Sequence, residues 1–303
     1  MRFGIDIGGT KIEIIALGAG GQELLRQRVA TPQDAYSDMI RTVRDLITSA
    51  ESGLGESGSV GIAIPGTISS KTGLVKNANS TRLIGHPLDK DMEKALGRNV
   101  RVENDANCFA LSEATDGAGA GHDVVFGLIA GTGIGGGICV DGRVLRGAHS
   151  IAGEWGHNPL PGPLSQEEFS DPPRCYCGRM GCIESWCSGP ALAAQFKRRT
   201  GRVLNAAEIA KGAREGDKDC AVVFEDFLVR FSRSIATVVG ILDPDAIVLG
   251  GGLSNIDVLY TELPPRVQTY SFTPEWPTLI LKNVHGDSSG VRGAAWLWRE
   301  HEL

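Results

Sequence analysis

The 303-residue sequence has no apolar run long enough to span a bilayer. Its first apolar stretch is interrupted by Asp6, Lys11 and Glu13, which a secretory signal would not contain, so the chain is expected in the cytoplasm and off membranes. It also lacks a block of Lys and Arg. With a net charge of −6 there is no electrostatic footprint for a phosphate backbone, and nucleic acid is not an expected partner. No basic recognition helix precedes the first strand, which argues against a DNA-binding repressor. Seven cysteines, an odd number, do not form a disulfide framework. Finally, no glycine-rich segment ends in Gly-Lys-Ser/Thr, so there is no Walker loop.

What is present reads as an ordinary globular α/β chain, 42% hydrophobic and long enough for two lobes. Arg2 to Asp6, Ile12 to Leu17 and Glu23 to Arg28 have the composition of three strands in a meander. Tyr36 to Ser52 has helical spacing, Val60 to Ile64 is a strand ended by Pro65-Gly66, and Val100 to Glu103 leads into a helix from Ala106 to Asp116. The pattern restarts at Val124 to Ala130, followed by a glycine turn over 131–137 and a strand at Ile138 to Val140, which predicts an internal duplication. Five prolines between Pro159 and Pro173 predict an irregular loop; Phe224 to Leu242 predicts a long amphipathic helix and Val291 to Arg299 a closing one. The lobes expected are 1–117 with the C-terminal helix 290–303, and 118–289 with a metal loop at 157–184.

Two glycine turns suit phosphate. In Asp6-Ile7-Gly8-Gly9-Thr10-Lys11 the glycines expose backbone N–H groups, Thr10 adds a hydroxyl and Asp6 can orient a hydrated Mg²⁺, although a plain hairpin fits equally. Gly131-Thr132-Gly133-Ile134-Gly135-Gly136-Gly137 repeats the device, and two such turns facing across a cleft would clamp a polyphosphate. Gly250-Gly251-Gly252, with Ser254 and Asn255 after it, would let adenine and ribose approach closely, or merely relieve crowding.

His157, Cys175, Cys177 and Cys182 make up one imidazole and three thiolates, the ligand inventory of a closed structural Zn²⁺ site, with free thiols as the alternative. Glu154 and Glu184 flank these ligands and suit the hydroxyls of a polyol, with plain surface charge as the alternative for each. Asn104-Asp105, where a strand meets a helix, can present a carboxylate as general base for phosphoryl transfer, or simply cap the helix. Asn77, Asn79 and Ser80, after Pro65-Gly66, form a polar patch that can close over a sugar or simply be a loop.

The segments DIGGTK, ENDANCFALSEA, GTGIGGG, AGEWGH, CYCGRMGCIE and LGGGLSN, in this order, resemble the ROK family of bacterial sugar kinases and repressors over essentially the whole chain. The resemblance implies the two-lobed actin-, hexokinase- and ribonuclease H-like ATPase fold with a duplicated βββαβα core, a homodimer, and ATP with Mg²⁺ and structural Zn²⁺. It implies Asp105 as the base and a sugar held by Gly66, Asn79, Asn104, Asp105, Glu154, His157 and Glu184. Nucleotide contacts are expected from Gly4, Asp6, Gly8, Gly9, Thr10, Lys11, Gly131, Thr132, Gly133, Gly135, Gly136, Gly251, Gly252 and Asn255, and metal contacts from His157, Cys175, Cys177 and Cys182. KNANSTRLIG and HGDSSGVRGAAWLW resemble the branch of fructokinases that also accept mannose or glucose, with N-acetylglucosamine kinases next. Glu103 stands where many family members have a smaller residue.

Overall fold

Alternating apolar residues in Arg2–Ile7 (β1) and Lys11–Leu17 (β2) place Phe3, Ile5, Ile12 and Ile14 in a closed core. A computed structural model describes residues 1–299 apart from 79, 163, 287 and 288. After Glu23–Ala30 (β3) come Tyr36–Leu54 (α1), Ser59–Ile64 (β4), the short pair Thr67–Ile68 (β5) and Val75–Lys76 (β6), Leu88–Leu96 (α2), Val100–Asn104 (β7) and Asp105–Asp116 (α3). Helix α1 buries Met39, Val43, Leu46, Ile47 and Ala50, the residues its helical spacing puts on one face. Gly55 stops it in the left-handed region (φ 70°), donating its N–H to the Glu51 carbonyl.

The second series is Val124–Ala130 (β8), Ile134–Val140 (β9), Arg143–Val144 (β10), Gln166–Ser170 (α4), Ile183–Cys187 (α5), Gly189–Thr200 (α6), Ala206–Arg214 (α7), Lys218–Leu242 (α8), Ala246–Gly250 (β11), Leu259–Tyr270 (α9), Leu279–Lys282 (β12) and Ser289–Trp296 (α10). The two large sheets have the orders β3-β2-β1-β4-β7 and β10-β9-β8-β11-β12. In the first, β1–β2 and β2–β3 are antiparallel while β1–β4 and β4–β7 are parallel; in the second, β9–β10 is antiparallel while β8–β11 and β11–β12 are parallel. The matching orders are the expected duplication.

Two compact units result. One takes in Met1–Gly121, Gly137–Ala152 and the C-terminal segment with α10; the other takes in His122–Gly136 and Gly153–Gly286. The sequence reading had grouped 137–152 with the larger lobe. Within the first unit α10 lies directly on the sheet: a Cβ at Gly4 or Gly61 would strike the carbonyls of Val291 or Ala294, and one at Gly293 would strike Cys108 of α3. The helix that carries Asp105 is thereby clamped.

Three sequence expectations shift. The glycine turn is confined to 131–133, because 134–137 already pair as β9. Helix α8 begins at Lys218, capped by the Asp217 carboxylate, rather than at Phe224. The Pro-rich loop contains the short helix α4, capped by Ser165.

Candidate active site and metal centre

In the first unit, β7 ends and α3 begins at Asn104-Asp105. Asn104 Oδ1 accepts the backbone N–H of Ala106 (2.9 Å) and of Asn107 (3.2 Å), and its Nδ2 donates to the Gly66 carbonyl at 3.3 Å. Asn104 is therefore the helix cap, and Asp105, one residue on, accepts the Ala106 N–H at 2.8 Å. Gly66, at φ 148°, leaves no room for a Cβ, which would meet Lys76 O at 2.8 Å. Asn79 lies outside the described residues.

Beneath the corner sits Glu103, 4% exposed. One carboxylate oxygen accepts from the Asn104 N–H (2.9 Å) and Asn107 Nδ2 (3.0 Å), and the other pairs with Arg146. Where many family members have a smaller residue, the fully paired carboxylate of Glu103 braces both ends of the Asn104–Asn107 turn.

Asp6, at the end of β1, is pushed up to about 7, first by burial, then by the Asp105 and Glu13 carboxylates, against the pull of Lys11 and Arg28. The unfolded chain loses this proton near the ordinary 3.8. Folding therefore binds a proton between about pH 4 and 7, and stability from this group falls as pH rises through that window. Asp6→Asn is expected to melt above the wild type at pH 8, with the gap closing by pH 4; a gap independent of pH would refute the assignment. The hairpin itself is closed by Gly8 N–H to Lys11 O (2.9 Å), and Gly9, Thr10 and Lys11 are exposed.

In the second unit, Gly131 N–H bonds Gly133 O and Gly131 O accepts the Gly189 N–H, both at 2.9 Å. A Cβ at Gly131 would stand 3.4 Å from Gly252 N, and one at Gly251 (φ 78°) would meet Ala130 O at 2.6 Å. The first glycine turn of this unit, the Gly251-Gly252 bend and the start of α6 therefore meet at one place. The α6 start, capped by Ser188, went unread in the sequence, although Ser188-Gly189-Pro190 is a helix-opening signal. Thr132 is exposed, and Asn255 closes the short 3-10 turn after Gly251.

His157, Cys175, Cys177 and Cys182 bring one ligand atom each within 4.8 Å of one another. Cys175 Sγ is 3.6 Å from His157 Nδ1, and Cys177 Sγ is 3.6 Å from Cys182 Sγ. A tetrahedron with Zn–S bonds of about 2.3 Å has edges of about 3.8 Å, so the donor set fits that ion. The expected order Cys-Tyr-Cys-Gly holds the cluster together through Cys175 N–H to Arg179 O (2.9 Å) and Gly178 N–H to Cys175 O (3.0 Å).

A ROK family model matches residues 2–301. The chain belongs to the ROK family. It is 40% identical to an N-acetyl-D-glucosamine kinase of Photobacterium profundum over 299 residues, 98% of this chain and 99% of that one. A ROK hexokinase of Thermus thermophilus superposes with a TM-score of 0.85 at 30% identity, covering 97% of this chain and 96% of that one. A ROK glucokinase of Streptomyces griseus, solved with glucose and AMPPNP, gives 0.76 at 29%, covering 99% of each. The fold is the expected α/β actin- and hexokinase-like one. The sequence reading put fructokinase ahead of N-acetylglucosamine kinase; the relative just described carries the second name.

For this ROK chain, two nucleotide expectations give way to packing. Gly4 is buried where β1 meets α10, and Gly136 is the contact point of the Phe126 ring (2.6 Å from a Cβ) and Trp155. Glu184 is also not simply a sugar group: its Oε2 accepts the Ile134 N–H at 3.0 Å and its Oε1 lies 3.8 Å from Cys175 Sγ. It ties the glycine turn to the metal cluster. The sequence reading also missed Arg230 and Arg233 inside the apolar face of α8. Both are buried against Glu168 at 2.8 Å, and Arg230 stacks on Trp186 at 4.5 Å. Glu168→Ala would leave two buried cations short of their partner, an expected loss of about 3–5 kcal/mol in denaturant unfolding. A loss below about 0.5 kcal/mol would class it as a surface residue.

Proposed function

We propose that the protein transfers the γ-phosphoryl group of ATP to a hydroxyl of a hexose. The observation that carries this reading is the Asn104-Asp105 corner, fixed at a strand–helix junction in a chain that matches the ROK family along almost its whole length. Asp105 takes the hydroxyl proton as the new O–P bond forms and the bond to the departing ADP breaks. Asn104, Gly66 and Asn79 are assigned to the sugar beside it, and Glu154, His157 and Glu184 to its remaining hydroxyls. Gly8 to Lys11, Gly131 to Gly133 and Gly251 to Asn255 are assigned to the nucleotide.

Mg²⁺ would neutralise phosphate charge, and Asp6 suits it, because a carboxylate whose ionisation is opposed by burial and a neighbouring Asp105 is relieved by a cation. Zn²⁺ on His157, Cys175, Cys177 and Cys182 would be structural, with all four positions filled by protein. Its contribution is rigidity for Glu154 and Glu184.

The sugar proposed first is an unsubstituted hexose, fructose ahead of mannose and glucose, on the Lys76 to Gly85 and His285 to Trp298 segments. N-acetylglucosamine is the second reading, favoured by the 40% identical relative of that name. Turnover with ATP and Mg²⁺ on these four sugars tests both readings. Absence of turnover on all four would overturn the kinase assignment.

A further inference from the structure

His157 shows two faces. Nδ1 is turned to Cys175 Sγ, whereas Nε2 is 3.0 Å from the hydroxyl of Tyr176. The two rings meet edge to face, centroids 5.2 Å apart at 79°. A metal held by Nδ1 would leave the ring proton on Nε2, so that the imidazole would donate and the phenol oxygen accept. Tyr176 thus occupies the hydrogen-bonding position of the histidine assigned to sugar. The Glu184 carboxylate is close by, its Oε1 3.8 Å from the Sγ of the neighbouring Cys175.

Tyr176 as a whole is 74% exposed although its hydroxyl is held by His157. Its backbone is held on both sides, by Cys175 and Cys177 of the His–Cys cluster and by the Arg174–Met180 bridge across the loop. A sugar hydroxyl reaching for His157 Nε2 is small enough to share that proton with the phenol. An acetamido group brings three further heavy atoms and an acceptor carbonyl into a neighbourhood of ring and carboxylate.

We propose that Tyr176 determines specificity, admitting hexoses with a free hydroxyl at the position read by His157 and excluding those with an N-acyl substituent there. This rests on the assignment of His157, Glu154 and Glu184 to the sugar. It would set the chain apart from relatives named for N-acetylglucosamine.

The test is calorimetric binding of fructose, mannose, glucose and N-acetylglucosamine, without ATP, to the wild type, Tyr176→Gly and Tyr176→Phe, with zinc content measured for each. Expected is wild-type preference for an unsubstituted hexose, a shift of at least about tenfold toward N-acetylglucosamine in Tyr176→Gly, the range one misfitting group commands, and retained exclusion in Tyr176→Phe, which keeps the ring. Zinc should stay bound in all three. A wild type that binds N-acetylglucosamine best, or a Tyr176→Gly ratio that does not move with zinc still bound, would overturn the inference alone. Binding of none of the four sugars would overturn the sugar-site assignment and this inference with it.

Discussion

Asp105→Asn is expected to lower kcat by about 10²- to 10⁴-fold, the usual cost of losing a general base, with the hexose dissociation constant little changed. The variant is informative because the helix start survives it. Asn retains an oxygen for the Ala106 N–H that Asp105 Oδ1 accepts at 2.8 Å, and Asn104 still caps the helix. Glu103 and Arg146 continue to hold the turn from beneath. What disappears is the capacity to take a proton and one of the two charges that, after burial, raise Asp6. Sugar binding by calorimetry together with single-turnover kinetics separates the two effects. A variant with near-normal turnover would remove Asp105 from the chemistry.

Cys182→Ser should release the metal and weaken both substrates. Cys182 is buried, contacts Cys177 Sγ at 3.6 Å and pairs across the chain with Pro159. Collapse of the cluster frees His157 and the Cys175 side of Glu184. Because the other oxygen of Glu184 accepts the Ile134 N–H, the damage extends to the turn at Gly131 to Gly133. The expected result is metal loss by elemental analysis and a KM increase for hexose of about 10- to 100-fold, the range for loss of groups supporting a ligand shell. ATP KM should rise as well, which a zinc knot serving the sugar alone would not produce. Metal loss with both KM values unchanged would refute the coupling.

Local patterns made much of the molecule readable. The meander at β1 to β3 follows from alternating apolar residues around two tight turns, and α1 from its spacing. The restart at Val124 was legible because the second half repeats the order of signals of the first, and the two sheet orders match. The clustering of the candidate metal ligands was legible because three cysteines within eight residues, with glycines between them, have few other uses.

Other features depend on partners distant in sequence. Gly4 reads like one more glycine near a phosphate turn, but its lack of a Cβ is required by Val291, nearly the whole chain away. Glu103 looks like a surface acid until Arg146 and Asn107 close on it. Arg230 and Arg233 look like interruptions of an apolar helix face until Glu168 fills the space between them.

The sequence alone determined much of the strand and helix inventory of the core and the family, and singled out the set His157, Cys175, Cys177 and Cys182 and the acid at the strand–helix corner, since these are carried by local patterns and short motifs. Only the tertiary structure decided which glycines serve packing, that Glu184 joins the metal cluster to the glycine turn, and that Tyr176 faces His157. Those depend on side chains meeting across loops, where sequence spacing carries no direction.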